Sequence, residues 1–455
     1  MRFLIAPLCL LLGACAAGPA RDVPTRAFGG TQISLPAMKS FAAPSPERPA
    51  RSNRDIQRDF LDLSFNLESG RALPVFSRFE GPITVRITGA PPPTLGPDLN
   101  RLIGRLRTEA GINIRRVSRP GASITIEAVT RAEIQRYLPK AACFVVPNIS
   151  GLSEYRSARR QGATSWSQLR TREQLAIFLP NDASPQEARD CLHEELAQAI
   201  GPLNDLYRLP DSVFNDDNVH TVLTGFDMLI LRAYYAPELR SGMTREQVAA
   251  KLPAILSRYN PSGDNLSPVH ASETPRAWIG AIQAALGPGT GDRQRMKAAR
   301  EALNIARSRG WHDHRRAFSH FALGRVLRFS DPERAHQHFL RAEHYYRRTP
   351  GTSLHRAYSA SQLAAMAILR GDGAAALDLV APHMAVAERH ENAALLANLM
   401  LLRAEALDLL GRHAEADAAR LDSLGWARYG FGAEWALRAK RREIAVIGAA
   451  DTSDG

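Results

Sequence analysis

Glu194 and Glu195 stand side by side in the run Cys191-Leu-His-Glu-Glu-Leu-Ala-Gln198, and Gly201, Asn204 and Asp205 follow closely. A carboxyl here can activate a water as general base, with its neighbours placed around a bound substrate. Such chemistry needs a helix that brings Glu194 and Gln198 onto one side, one turn apart. The sequence supplies its punctuation: Ser184 as N-cap, Pro185 at the first helical position, Glu187 to close a capping box, then Gly201 and Pro202 as the stop. Ala188, Leu192, Leu196 and Ala199 recur at three-to-four-residue spacing, so a different stripe of the same helix is to be buried.

The spacing resembles that of the zincin-type zinc proteases, H-E-x-x-H-x-x-G-x-x-H, laid over Glu194, Glu195, Gln198, Gly201 and Asn204. The glutamate that would act as general base and the glycine are kept; the three ligand positions are not. Zinc selects imidazole nitrogen, amide side chains are poor donors, and one carboxylate does not hold a four-coordinate site. No metal and no cofactor is therefore expected here. His193 and His220 are the nearby imidazoles, but His193 points about 100° round the helix from Glu194. A solvated glutamate pair ending in a C-cap glycine is the plainer alternative, and the helix by itself leaves both open.

The chain has 455 residues, 45% hydrophobic and 23% charged, which is an ordinary globular composition and too long for one core. Arg2, the apolar run from Phe3 to Leu12, and then Leu12-Gly13-Ala14-Cys15 resemble the signal and lipobox of bacterial lipoproteins. That resemblance implies cleavage before a lipidated Cys15, a membrane anchor through that lipid, and a mature chain in the periplasm. Ala16 after the cysteine favours the outer membrane. With Cys9 and Cys15 set aside, Cys143 and Cys191 are left as a pair, read as a disulfide with two buried thiols as the alternative. The bridge would be worth on the order of 4 kcal/mol in the chain-entropy estimate. Net charge is +12, from 58 basic and 46 acidic residues, with a basic excess between Asp292 and Arg348. A solvated helical face explains such an excess, as does attraction for anionic lipid, peptidoglycan or an acidic partner; nucleic acid is excluded by the compartment.

Residues 16–51 are rich in Pro, Ala and Gly and read as a flexible tether. Short runs of branched residues at 82–87, 112–117, 123–129, 143–147 and 174–180 are strand candidates, with helices near 54–66 and 97–109, the capped helix, and then helices at 222–235 and 244–259. Asn215-Asp-Asp-Asn218 reads as a turn cluster without the spacing of an EF-hand. From about 275 helix follows helix, and Ala284, Gly324, Ala364 and Ala404 stand 40 residues apart, with Ala335, Ala376 and Ala416 as the small residues of the second helices. This part resembles the tetratricopeptide repeat, with a longer period. Stacked helix pairs of that kind offer a surface for a protein or peptide partner; an irregular bundle is the alternative.

Phe60-Leu-Asp-Leu-Ser-Phe65, Arg78-Phe-Glu-Gly-Pro-Ile83, Cys143-Phe-Val-Val-Pro147, the Glu194 run, Asn204-Asp205, Asp211-Ser-Val-Phe-Asn-Asp216, Leu223-Thr-Gly-Phe-Asp227 and Gly242-Met243 carry a further resemblance. Together they resemble the family named domain of unknown function 2927, found in envelope proteins of Gram-negative bacteria. That family lends a domain and a compartment but no activity. The expected layout is a leader at 1–15, the tether at 16–51, an α+β zincin-like domain at 52–263, an all-α tetratricopeptide-like array at 275–447, and a tail at 448–455. The expected role is binding or scaffolding of an envelope protein or peptide. The alternative is an envelope hydrolase with Glu195 as general base and Glu194, Gln198, Asn204 and Asp205 around its substrate. A glycosidase pairing of Glu194 with Glu195 is excluded, because neighbours on a helix cannot straddle one bond.

Overall fold

Branched residues in short runs, each followed by an amphipathic stretch, are what a sheet with crossover helices requires. A computed structural model describes residues 36–41 and 47–449. The expected leader, its lipidation site Cys15 and residues 450–455 of the tail lie outside the described residues. The first region runs α1 (Asn53–Phe65), β1 (Ile83–Gly89), α2 (Leu95–Thr108), β2 (Ile114–Arg116), β3 (Ile124–Val129), α3 (Arg131–Tyr137), β4 (Phe144–Pro147), α4 (Leu152–Ala158), β5 (Leu175–Pro180), α5 (Pro185–Ile200), α6 (Gly225–Tyr234) and α7 (Arg245–Tyr259).

The five strands form one sheet in the order β2-β1-β3-β5-β4, with β4 antiparallel to β5 and every other pairing parallel. Ile87 lies opposite Ile126, and Ile126 opposite Ile177. All six residues of β5 are buried, as in a strand covered on both faces. The region is therefore α/β with a mixed sheet, not the strands-then-helices order expected from the sequence. The difference comes from α3 and α4, seven residues each with a single buried side chain, Ile134 and Leu152, which leave no apolar period to read. The 222–235 helix begins later than expected, at Gly225, because Thr224 and Asp227 form its capping box.

A run of packed helices follows: α8 (Arg276–Leu286), α9 (Asp292–Ser308), α10 (His314–Leu327), α11 (Pro332–Tyr346), α12 (Ser353–Leu369), α13 (Gly373–Arg389), α14 (Ala393–Leu409), α15 (His413–Phe431) and α16 (Glu434–Ala449). Ala284, Gly324, Ala364 and Ala404 fall on α8, α10, α12 and α14, and Ala335, Ala376 and Ala416 on the intervening helices. Small residues are needed where helices approach: a Cβ on Gly324 would sit 2.8 Å from the Phe339 ring of α11. Helix α11 buries only the stripe Ala335, Phe339, Ala342 and Tyr346, whereas α10, α12 and α14 are covered on most sides.

That extra cover comes from further helices, α8 on α10 and α16 on α12 and α14, and the α/β region meets only the N-terminal ends of the three. His314 Nε2 lies 2.6 Å from the Tyr207 carbonyl oxygen, and His355 Nε2 2.8 Å from Asp217 Oδ2. Gln186 of α5 donates to Asn392 and accepts from the Ala394 amide, while the Arg189 guanidinium donates to the Glu391 carbonyl at 2.5 Å and its carboxylate at 3.3 Å. Lys39 and Phe41 also lie on this body: the Lys39 amide donates to the Gly425 carbonyl, and Phe41 stacks on Trp426 with ring centres 4.5 Å apart. No described helix is long and apolar enough to cross a membrane.

Candidate functional site

Helix α5 is held at both ends and along its side. Ser184 accepts from the Glu187 amide at its start, with Pro185 in the first turn. At its finish the buried Arg172 guanidinium donates to the carbonyls of Gln198 (2.7 Å), Ala199 (2.8 Å) and Gly201 (2.5 Å), placing a cation where the helix dipole is negative. Gly201 is needed because a Cβ there would lie 2.6 Å from the Leu231 side chain of α6. Cys191 is disulfide-bonded to Cys143, joining the helix to the strand-leading residue of β4.

On this fixed helix Glu195 is 5% exposed, and its Oε2 has no hydrogen-bond partner. Burial, then the neighbouring Glu194 and Glu68, push its pKa well above the carboxylate range. Glu194 keeps partial contact with solvent and is pushed up to about 8 by burial, then by Glu68, Asp216 and Asp190. Asp205 is raised well above its usual value by burial and by Glu68, Glu194, Asp216 and Glu195, and its Oδ1 is also buried without a partner. Glu68 and Asp216 are raised too, each by burial first. Five carboxyls thus lie in poorly solvated surroundings, near enough for several to repel one another, and lost hydration with that repulsion favours the protonated form.

Two of the five arrive from loops. Glu68 sits in the turn after α1, closed by the Gly70 amide on the Leu67 carbonyl at 2.7 Å, with Gly70 at φ +81°. A Cβ on Gly70 would meet Arg276 Nη2 at 2.7 Å, and Arg276 is the cation that partly offsets Glu68. Asp216 belongs to the expected Asn215–Asn218 turn cluster and accepts from the Tyr207 hydroxyl (3.0 Å) and the Gln283 amide (3.0 Å). Its loop is clamped by buried Asp227, which accepts from the Ser212 hydroxyl and from the Val213 and Thr224 amides at 3.1 and 2.8 Å. The sequence marked Asp216 as part of a turn and of a family motif, not as a site residue, and gave no sign of Glu68.

The expected site residues are otherwise brought together. Gln198 donates to Glu68 across 3.4 Å, and Asn204 donates to the Asp62 carbonyl at 3.0 Å. Their amides are engaged within the protein, and zinc does not fit the residues that occupy the three ligand positions. Among the described residues no group of three or more His, Cys, Asp or Glu could hold a metal ion. His193 turns away, accepting the Leu223 amide on Nδ1 at 3.1 Å; burial and Arg105 keep it neutral. His220 contacts the Pro210 carbonyl and the rings of His390 and His355.

A cleft of about 230 Å³ lined by Asp62, Glu68, Asn204, Asp205, Glu273 and Arg276 lies against the cluster. Asp216 lines a second cleft of about 740 Å³ with Tyr207 and Gln283. Chemically, the arrangement offers protonated carboxyls that donate hydrogen bonds, and a Glu194 that exchanges its proton near neutral pH. No curated protein matches the chain. The helix, the sheet and all five carboxyls fall within residues 53–254, which match the family described as Protein of unknown function (DUF2927) and form a domain of that family.

Proposed function

We propose that this protein is a lipid-anchored binding or scaffold protein of the bacterial envelope, tethered through Cys15 at the outer membrane and facing the periplasm. Its α/β domain is zincin-like without the metal, and its helices 275–447 form a tetratricopeptide-like array that receives an envelope protein or peptide. The observation that carries this is the use of Gln198 and Asn204: both amides stand at ligand positions of the protease spacing and are hydrogen-bonded to Glu68 and the Asp62 carbonyl. The zincin-like reading draws support from α5 packing beside a mixed sheet whose one antiparallel strand, β4, is at an edge. The repeat reading draws support from the 40-residue recurrence of small residues on packed helices.

A second reading is favoured by one feature, the unpartnered Glu195 Oε2 beside a Glu194 that titrates near 8. Such a pair suits a hydrolase in which the ionised fraction of Glu195 takes a proton from the attacking water while protonated Glu194 gives one to the leaving group. Elemental analysis of the protein purified in metal-free buffer, with hydrolysis of envelope peptides by the wild type and Glu195→Gln, separates the two. The binding reading expects no stoichiometric metal and no hydrolysis that depends on Glu195. Metal lost in Glu194→Ala, or turnover lost in Glu195→Gln with the melting curve intact, would sink it.

A further inference from the structure

The basic excess between Asp292 and Arg348 gathers at one place. Arg307 of α9, Arg316 of α10, and Gln337, Arg341, His344 and Tyr345 of α11 line a cleft of about 440 Å³ whose lining contains no carboxylate. Several buried arginines of this protein are matched with carboxylates: Arg208 with Asp59 and Asp62, Arg189 with Glu391, Arg315 with Asp313. In this cleft the side chains of Arg307 and Arg341 make no hydrogen bond or ion pair with any described residue. Arg316 lies over the Tyr345 ring, and its Nε is buried without a partner.

The floor reports the resulting potential. His320 is 1% exposed, and its Nδ1 lies 2.9 Å from Nδ1 of His338, so one imidazole donates and the other accepts. Burial, then His338, Arg316, Arg307 and Arg341, lower the pKa of His320 to about 3; burial, then Arg341, Arg307 and Arg334, lower that of His338 to about 4. Like charges from three helices, with no carboxylate in the lining, focus a positive field into a concave site. An anion there relieves the repulsion and satisfies donors that the protein leaves open.

We propose that this cleft binds a phosphate group, free or carried on an ester, with Arg307, Arg316 and Arg341 as its ligands. Three guanidinium groups reaching in from three helices call for oxygens pointing in several directions, which a tetrahedral oxyanion provides and a planar carboxylate does not. Tyr345 backs Arg316, and Gln337 adds a neutral donor at the rim. The site is separate from the carboxyl cluster and stands whichever reading of that cluster holds.

Calorimetric titration of the full-length protein with inorganic phosphate, and separately with a short-chain anionic phospholipid below its micelle concentration, tests this. Binding of at least one probe is expected, with affinity at least tenfold weaker in the Arg307→Gln/Arg341→Gln double variant and unchanged in Arg293→Gln. Preference for inorganic phosphate identifies a free anion, and preference for the phospholipid identifies a headgroup. As a second readout, imidazole NMR shifts should report a raised pKa for His338 when the probe is bound. No binding of either probe at millimolar concentration, or equal binding by a double variant with an intact melting curve, overturns the proposal.

Discussion

The carboxyl cluster beside α5 and the arginine cleft on α9–α11 both crowd like charges, and they manage the repulsion by opposite means. Glu195 and Asp205 are buried and respond by keeping protons, since a carboxyl can discard its charge. Arginine cannot be neutralised in this way, so Arg307 and Arg341 stay exposed and hydrated at the edge of an open cleft. The contrast teaches that a group's capacity to change protonation state decides how deep a like-charged cluster can lie. It also separates their functional prospects: the buried cluster exchanges protons, and the open one attracts counter-ions.

The strongest way to break the comparison is to loosen the scaffold under the carboxyls. Arg172→Met removes the donor to three carbonyls at the end of α5, and should cost on the order of 3–5 kcal/mol in urea unfolding, because those acceptors remain buried. A smaller effect follows from pH. The folded pKa values of Glu194 and Glu195 lie above their unfolded values, so the folded state holds more protons between about pH 4.5 and pH 8. The contribution of these two carboxyls is therefore greatest at the acid end of that window and falls as pH rises through it, while buried neutral histidines such as His193, His320 and His338 act in the opposite sense below about pH 6.5. Thermal melts from pH 5 to pH 8 should show the advantage of Glu194→Gln/Glu195→Gln over the wild type growing as pH rises, to roughly 2–3 kcal/mol at pH 8. A difference between the two proteins that stays constant from pH 5 to pH 8 would contradict shared protons.

The smallest effect is on the arginine side. Arg307→Gln or Arg341→Gln should raise the melting temperature slightly at low ionic strength, and the gain should vanish in about 0.5 M salt, since exposed charges are screened within a few ångströms there. The gain from Glu195→Gln should survive the same salt. Equal salt sensitivity at the two sites would remove the distinction drawn between them.

Local signals carried much of this structure. Ser184, Pro185 and Gly201 bounded α5 because caps act within a few residues, and the 40-residue recurrence of small side chains marked the packed helices because each helix repeats one contact. The Cys143–Cys191 pairing followed from arithmetic. What stayed hidden is non-local. Glu68 and Asp216 join Glu194 only because a turn after α1 and a clamped loop before α6 fold over the same volume, and no spacing in the chain announces that. Arg172 carries no mark in the sequence either, since nothing next to it names the helix end it serves. The helices α3 and α4 were missed because one buried residue makes no period.

The contact between α5 and the start of α14 bears on the order in which the molecule can be completed. Arg189 is 1% exposed, and its acceptors on Glu391 lie 202 positions later in the chain. As the polypeptide emerges from a ribosome or a translocon, α5 and the sheet beneath it exist well before residue 391 does. Until then the Arg189 guanidinium has to remain hydrated, which keeps one side of α5 wet and open to proteases or chaperones. A chain ended after residue 254 would cover the whole family match and still lack the acceptors for that arginine. For this protein, the stretch recognisable as a family domain is therefore shorter than the unit that has to be synthesised before α5 can be sealed.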